Sequence, residues 1–466
     1  MPSPLPRNSV VLAVSLFAAL CLFYSAWPVW RALFPIEIDL NEAWNAYHAD
    51  AAVAGRTLYP DPAGLVANNY PPLSYVLIGW LSLSGVDAIY IGRALSLLAT
   101  GTLAITAALC ILQLGGGRIA AALGGFWFLG TMVRHADWYV GMNDPHLLAL
   151  AIMGLALLWY LRRGPGRAPE PIVLMLVLAG FVKHTLVAFP AAVLLDWARH
   201  NWRFALRGAL AGIAASGLGL VLCTAWFGTD FLAQMFLSPR QVSLDRALKS
   251  LERIGGIAPV LIVWAVWAWH DRKSEAAKLT TILVGCSFAV YAMQKSGYNV
   301  DVNAQFELNL ALAIGLGLAV HRLAVLPIAQ RLGADKLRLA IVGVLAAGLL
   351  AAPGLEPYWL AVSSDYRDQF RQNSEVVRSE TARIAAIRGD FICTTMSVCR
   401  AAGKRFVHDE SYTGQKITAG VWDAARWQAE LVRQRIGWQP IDPRAGMRPL
   451  MRQLPWGRTM PSPRMQ

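Results

Sequence analysis

Along most of its length the chain repeats one feature: apolar runs of roughly 15–25 residues, separated by short loops rich in arginine and lysine. A helix rises about 1.5 Å per residue and a bilayer core is about 30 Å thick, so runs of this length can span it. No water reaches the backbone there, so each run must satisfy its own N–H and C=O groups as a helix. Few folds remain open, and all are polytopic, all-α membrane proteins. Composition agrees: 56% hydrophobic residues against 15% charged is more apolar surface than a soluble chain of 466 residues needs. The formal charge of +13 then reads as a bias of Lys and Arg toward cytoplasmic loops. The arginines are dispersed and form no stripe or nucleic-acid module, which excludes nucleic acid as a partner. The first run, Val10–Trp27, reads as an uncleaved signal anchor.

Loop charge orients the spans. With the amino terminus cytoplasmic and Leu73–Ser84 an interfacial helix, Ile89–Leu114 runs inward and Ile119–Val133 outward. Leu147–Leu161 returns, leaving Arg162, Arg163 and Arg167 inside. The run Pro171–Trp197 is broken by Lys183-His184, a pair too costly for mid-bilayer, so two short helices with that pair at the outer turn are expected. Leu206–Phe227 goes out, Gly228–Gly255 is an external loop, and Ile257–Trp269 returns. Leu279–Met293, Phe306–Val320 and Leu339–Ala352 complete about eleven spans. Residues 1–352 form the membrane domain; 353–466 read as a small extracytoplasmic α/β domain. In it Gln372–Ile387 and Asp423–Arg435 are helical, Phe391–Thr395 and Arg405–His408 strand-like, and the tail from Pro440 irregular. Cys393 and Cys399 fall there, and a disulfide between them fits an oxidising compartment; metal ligation with His408 is the weaker alternative.

The chemistry concentrates between Ile36 and Gly79, which carries Glu37, Asp39, Glu42, Asp50 and Asp61. Leu40, Ala43, Trp44, Tyr47, Ala51 and Ala54 share one face at helical spacing, so Asp39–Ala54 is expected as an amphipathic helix on the membrane surface. The plain alternative is an acidic loop between two spans. On the assigned topology, further polar residues converge on the same side: Asn69, Tyr70, Arg134, His135, Asn143, Asp144, His146, Lys183, His184, Lys295, Tyr298, Asn299, Asp301, Asn303 and Glu307. Carboxylates beside cations at a bundle mouth suit transfer from a lipid-phosphate donor to an external acceptor, since a carboxylate takes the hydroxyl proton and cations balance the departing phosphate.

The run IDLNEAWNAYHA, then GRTLYP and NNYPPLSY, with NDPHLLALA in the second loop, resembles the membrane glycosyltransferases of the GT-C fold. It is most similar to bacterial relatives of the protein mannosyltransferases, aminoarabinose transferases and lipopolysaccharide-core galacturonosyltransferases. The resemblance implies an inner-membrane hexosyl- or pentosyltransferase of the cell envelope, its C-terminal domain outside. The donor is then a polyprenyl-phosphate sugar, the acceptor a glycolipid, glycan or protein, and the partners include membrane lipids. It implies a first-loop acid as base, but relatives carry an adjacent Asp-Glu where this chain has Asn41-Glu42, with Asp39 two positions earlier. The role stays open between Asp39 and Glu42. Asp144 matches the family's second-loop acid, a metal ligand or positioning group. The sequence establishes no cofactor, and a divalent ion, Mg2+ or Mn2+, is a candidate with Asp144 as ligand.

Each residue has a plainer reading. Asp39 and Glu42 suit a helix first turn, Asp144-Pro145 starts a helix well, and Lys183 could snorkel to the interface. A transporter or flippase for a lipid-linked or anionic solute is the rival, but transporters place ionisable residues near the midplane between repeats, and no internal repeat shows.

Overall fold

The computed structural model describes residues 7–438 apart from Pro239, Asn299 and the side chains of Arg7 and Arg253. Asn299 and the tail from Pro440 lie outside the described residues. Helix α1 (Arg7–Arg31) leads to α2 (Leu40–Val53) and α3 (Leu73–Ser82), the two helices of the first loop. Next come α4 (Ala88–Gln113), α5 (Arg118–His135) and α6 (Pro145–Arg163). The apolar run broken at Lys183-His184 is two helices, α7 (Glu170–Val182) and α8 (Ala188–His200), followed by α9 (Trp202–Phe227). Beyond them lie α10 (Asp230–Phe236), α11 (Leu244–Glu252), α12 (Ala258–His270), α13 (Glu275–Lys295) and α14 (Phe306–His321). Helices α15 (Pro327–Leu332), α16 (Ala334–Ala351) and α17 (Glu356–Val362) precede α18 (Ser364–Ala386). The last elements are β1 (Phe391–Ile392), α19 (Met396–Ala401), α20 (Glu410–Thr418), α21 (Ala424–Arg433) and β2 (Gly437–Trp438).

Among the described residues six helices are long and apolar enough to cross a membrane, or eight if each of two bent pairs is one span. Helices α3 and α7 are shorter apolar helices. A count of about eleven therefore needs the shorter helices as spans, and length and composition alone do not assign them. The bundle is built around α14, buried from Phe306 to Val320. Glycine lets α5 and α14 touch backbone to backbone. A Cβ at Gly124 would meet the Ala313 carbonyl at 2.7 Å, and one at Gly317 the Ala120 carbonyl at 2.9 Å. Small residues at such crossings are how helices gain van der Waals contact where no hydrophobic effect drives them together. In contrast, α9 packs on α7 and α8 by one side and presents Leu206, Ile213, Leu218 and Trp226 outward.

Three local expectations need correction. Helix α2 is not a surface helix with one apolar face, because every residue from Glu42 to Ala49 is buried. It lies between α3 and α4 on one side and α19 on the other. Residues 228–255 are not simply a loop but carry α10 and α11, and α11 is amphipathic enough to pack on α13. Arg405–His408 forms no strand; β1 pairs in parallel with β2, Phe391 opposite Gly437.

The C-terminal segment covers the first loop through specific contacts. Arg400 reaches Asp50 at the end of α2 (2.8 and 2.9 Å) and Asp87 before α4 (2.8 and 3.0 Å). Lys416 donates to the carbonyls of Pro62 and Gly64, both at 2.7 Å. Asp409 accepts from the Trp44 indole at 2.8 Å while its backbone N–H donates to Leu65 O at 2.8 Å. Burial pushes the Asp409 carboxyl up to about 6 and the Lys416 ammonium down to about 8. Cys393 and Cys399 are joined, with Cα atoms 6.3 Å apart.

Candidate active site

The two first-loop carboxylates separate into different roles. Glu42 is 0% exposed and held from all sides. Arg93 of α4 donates to Oε1 (2.8 Å) and Oε2 (2.6 Å), and the backbone N–H groups of Ile38 (2.8 Å) and Asn143 (3.2 Å) donate as well. The remaining Arg93 N–H bonds go to the carbonyls of Ala32, Phe34 and Ile36. A carboxylate so paired has no lone pair left for a substrate hydroxyl.

Asp39 is different. It is the N-cap of α2, where Oδ1 accepts from Asn41 N–H at 2.9 Å, and no cation hydrogen-bonds to it among the described residues. It is half-buried. Burial raises its pKa to about 6, against the backbone hydrogen bond, and the charges of Asp301, Glu42 and Asp144 push the same way. Glu37, two residues earlier, is pushed up to about 8, first by burial and then by Glu42.

The second-loop residues meet this group through a shared anchor. Asn143 Nδ2 donates to the Glu42 carbonyl at 3.0 Å, and Asn45 Nδ2 donates to the Asn143 carbonyl at 3.0 Å. Gly92 makes the approach feasible, since a Cβ there would lie 1.8 Å from Asn143 Oδ1. Asp144 caps α6, accepting from His146 N–H at 2.8 Å. Its other oxygen lies 4.0 Å from Lys183 Nζ. That ammonium is 2% exposed, sits 3.3 Å from the centroid of the Tyr70 ring and makes no hydrogen bond among the described residues. A buried ammonium with unused donors is poised for an anion. His146 Nε2 is likewise buried and unpartnered, while Nδ1 faces Asn303 Nδ2 at 3.3 Å.

Several other sequence candidates bond to backbone groups. Arg134 donates to the carbonyls of Leu349 (3.1 Å), Ala352 and Gly354 (3.1 Å) and stacks on Tyr24, closing the end of α16. Lys295 Nζ holds Val300 O and Asp301 O at 2.9 and 2.7 Å. Glu307 Oε1 accepts from Ala188 and Phe189 N–H, capping α8 beside the Lys183 turn. Tyr298 packs under Arg246 at 4.7 Å. His184 keeps a buried, unpartnered Nδ1 next to Lys183. Asn69 has no hydrogen bond tying it to the cluster; its neighbour Asn68 shapes the loop instead, through Leu58 O and Tyr70 N. Arg93 and Gln234, which accepts from Asn68 N–H at 2.7 Å, were not singled out by sequence. The available signal for Arg93 was a lone charge inside an apolar span.

Among the described residues no three His, Cys, Asp or Glu side chains are grouped to hold a metal ion, and Asp144 Oδ2 faces an ammonium.

No family model and no curated protein matches the chain. Its fold is similar to solved structures of ArnT from Cupriavidus metallidurans, an aminoarabinose transferase of the GT-C fold. The structure bound to undecaprenyl phosphate matches with a TM-score of 0.55 at 13% identity, over 90% of each chain. The apo structure matches with a TM-score of 0.54 at 14% identity, again over 90% of each. The chain therefore has the GT-C fold expected from its first-loop motif, in a multi-pass membrane protein.

Proposed function

We propose that the protein is an inner-membrane glycosyltransferase that moves a sugar from a polyprenyl-phosphate donor to an envelope glycolipid, glycan or protein on the outer face. The observation that carries this reading is the buried Lys183 ammonium, 4.0 Å from Asp144 and without a hydrogen bond among the described residues, in a chain whose first-loop carboxylate Asp39 accepts from Asn41 N–H and from no cation. The ArnT fold, solved with undecaprenyl phosphate, supports the donor class.

In this reading Asp39 takes the acceptor hydroxyl proton as its oxygen attacks the anomeric carbon. The bond from that carbon to the phosphate oxygen breaks, and its electrons stay on the phosphate. Lys183 balances the growing charge as a point cation, with His146 Nε2 as a neighbouring polar contact. Displacement by a single base inverts the anomeric centre, so no carboxylate nucleophile is needed. Glu42 and Arg93 hold the loop in register and touch no substrate. The external placement of 353–466 as a separate domain, with its Cys393–Cys399 bridge, belongs to the same proposal.

Mass spectrometry of envelope glycolipids and glycans, in cells with and without the gene, tests the reading. A missing single-sugar increment, restored by the wild-type chain and not by Asp39→Asn, is expected. Identical envelopes, together with no transfer from undecaprenyl-phosphate-linked sugars in vitro, overturn it.

A further inference from the structure

A cavity lies among the sequence-predicted residues of the second and fourth loops, with His135, Lys295 and Asp301 in its lining. It measures about 260 Å3 between the ends of α5 and α13 and the start of α14, with Asp301 at its rim. At about 30 Å3 per liquid water, this is far more room than one bound water needs and enough for one small ring.

Its walls hold polar atoms that the protein leaves unused. Thr131 is 4% exposed, yet its hydroxyl makes no hydrogen bond among the described residues. Gln305 Nε2 donates to Asn309 Oδ1 at 3.1 Å, which leaves Gln305 Oε1 and the Asn309 amide N–H groups without partners. Asn309 is 3% exposed and Gln305 8%. His135 also lines the space and makes no hydrogen bond among the described residues. Unpaired donors and acceptors that line a cavity suit a ligand with acceptors and donors of its own. The rings of Trp138 and Tyr291 add flat apolar wall.

The charged neighbours exclude an anion. Lys295 is turned onto the carbonyls of Val300 and Asp301, and Asp301, which accepts from Trp138 Nε1 at 3.0 Å, puts a negative charge at the mouth. We infer that the cavity seats one neutral, hydroxyl-rich ring, a glycosyl unit. This rests on the glycosyl-transfer reading and adds where a sugar ring sits. The ring belongs either to the donor or to the end of the acceptor.

Saturation-transfer NMR on the full chain, in a detergent without sugar, tests the seat with neutral methyl hexosides and pentosides. Glucose 1-phosphate serves as the charged probe and undecaprenyl phosphate as the control. At least one neutral glycoside should bind the wild type, and glucose 1-phosphate should bind no better. Asn309→Leu and, as a milder change, Thr131→Val should each weaken the glycoside about tenfold, the loss of one buried hydrogen bond. Undecaprenyl phosphate should bind all three proteins alike, which shows that they are folded. A glycoside displaced by undecaprenyl-phosphate-linked sugar identifies the donor ring; one that binds alongside it identifies the acceptor ring. No neutral binding to the wild type, or equal binding to Asn309→Leu and Thr131→Val, overturns the seat. The Asp39→Asn result is independent of that outcome.

Discussion

Arg93 grips both oxygens of Glu42, at 2.8 and 2.6 Å, from a helix 51 residues further along the chain. The same guanidinium bonds three carbonyls of the segment leading into Asp39, so one buried side chain sets the approach of the proposed base. Removing one member of such a pair leaves an uncompensated buried charge. Arg93→Met is therefore expected to destabilise the protein by about 3–5 kcal/mol. Thermal unfolding in detergent checks this; a loss below about 1 kcal/mol would mean that the pair is solvated.

Asp39→Asn preserves shape and the cap on α2, since Asn also caps well. Turnover should fall by roughly 10²–10⁴ with expression and undecaprenyl phosphate binding unchanged. Glu42→Gln should instead lower stability, since Gln keeps the shape but leaves the Arg93 charge unpaired. Kinetics and unfolding on the two variants separate the roles; the reverse pattern would make Glu42 the base.

The base must be ionised to accept a proton. Burial raises Asp39 to about 6, so kcat/KM should climb about tenfold per pH unit below that value and level off above it. For stability the sign is opposite. The folded state holds this proton more tightly than the unfolded chain, so Asp39 opposes folding increasingly as pH rises from about 4 to about 6. A pH–rate profile of the wild type shows the limb, and any residual activity of Asp39→Asn should lack it.

Lys183→Met keeps a long apolar stem and removes the ammonium. Apparent affinity for undecaprenyl phosphate should drop about 10-fold to 100-fold, the worth of a charge-assisted hydrogen bond. Titration of detergent-purified protein measures it, and unchanged affinity would remove Lys183 from the donor site.

Arg400→Gln severs contacts to both Asp50 and Asp87, the bridge between the C-terminal segment and the first loop. Limited proteolysis should then cut residues 390–438 faster than in the wild type, while α14 stays protected. An unchanged cleavage pattern would show that Lys416 and Asp409 hold the segment by themselves.

The helices and their breaks were legible because hydropathy and backbone hydrogen bonding are local. Apolar runs marked the long helices, and Lys183-His184 ended one short helix before the next, as the cost of burying that pair in lipid requires. The first-loop carboxylates stood out for the same reason. Sequence left Asp39 and Glu42 equivalent, three residues apart on one turn. Tertiary structure separated them, because only packing brought Arg93 against Glu42 and left Asp39 half-buried with no cation bonded to it among the described residues. It also gave Arg134, Lys295 and Glu307 backbone partners at helix ends and in a loop, contacts that no sequence pattern showed. An ionisable side chain looks the same in sequence whether it meets a substrate or a carbonyl. Its partner lies tens to hundreds of residues away, and burial, which decides how strongly the two must pair, exists only once the chain is folded.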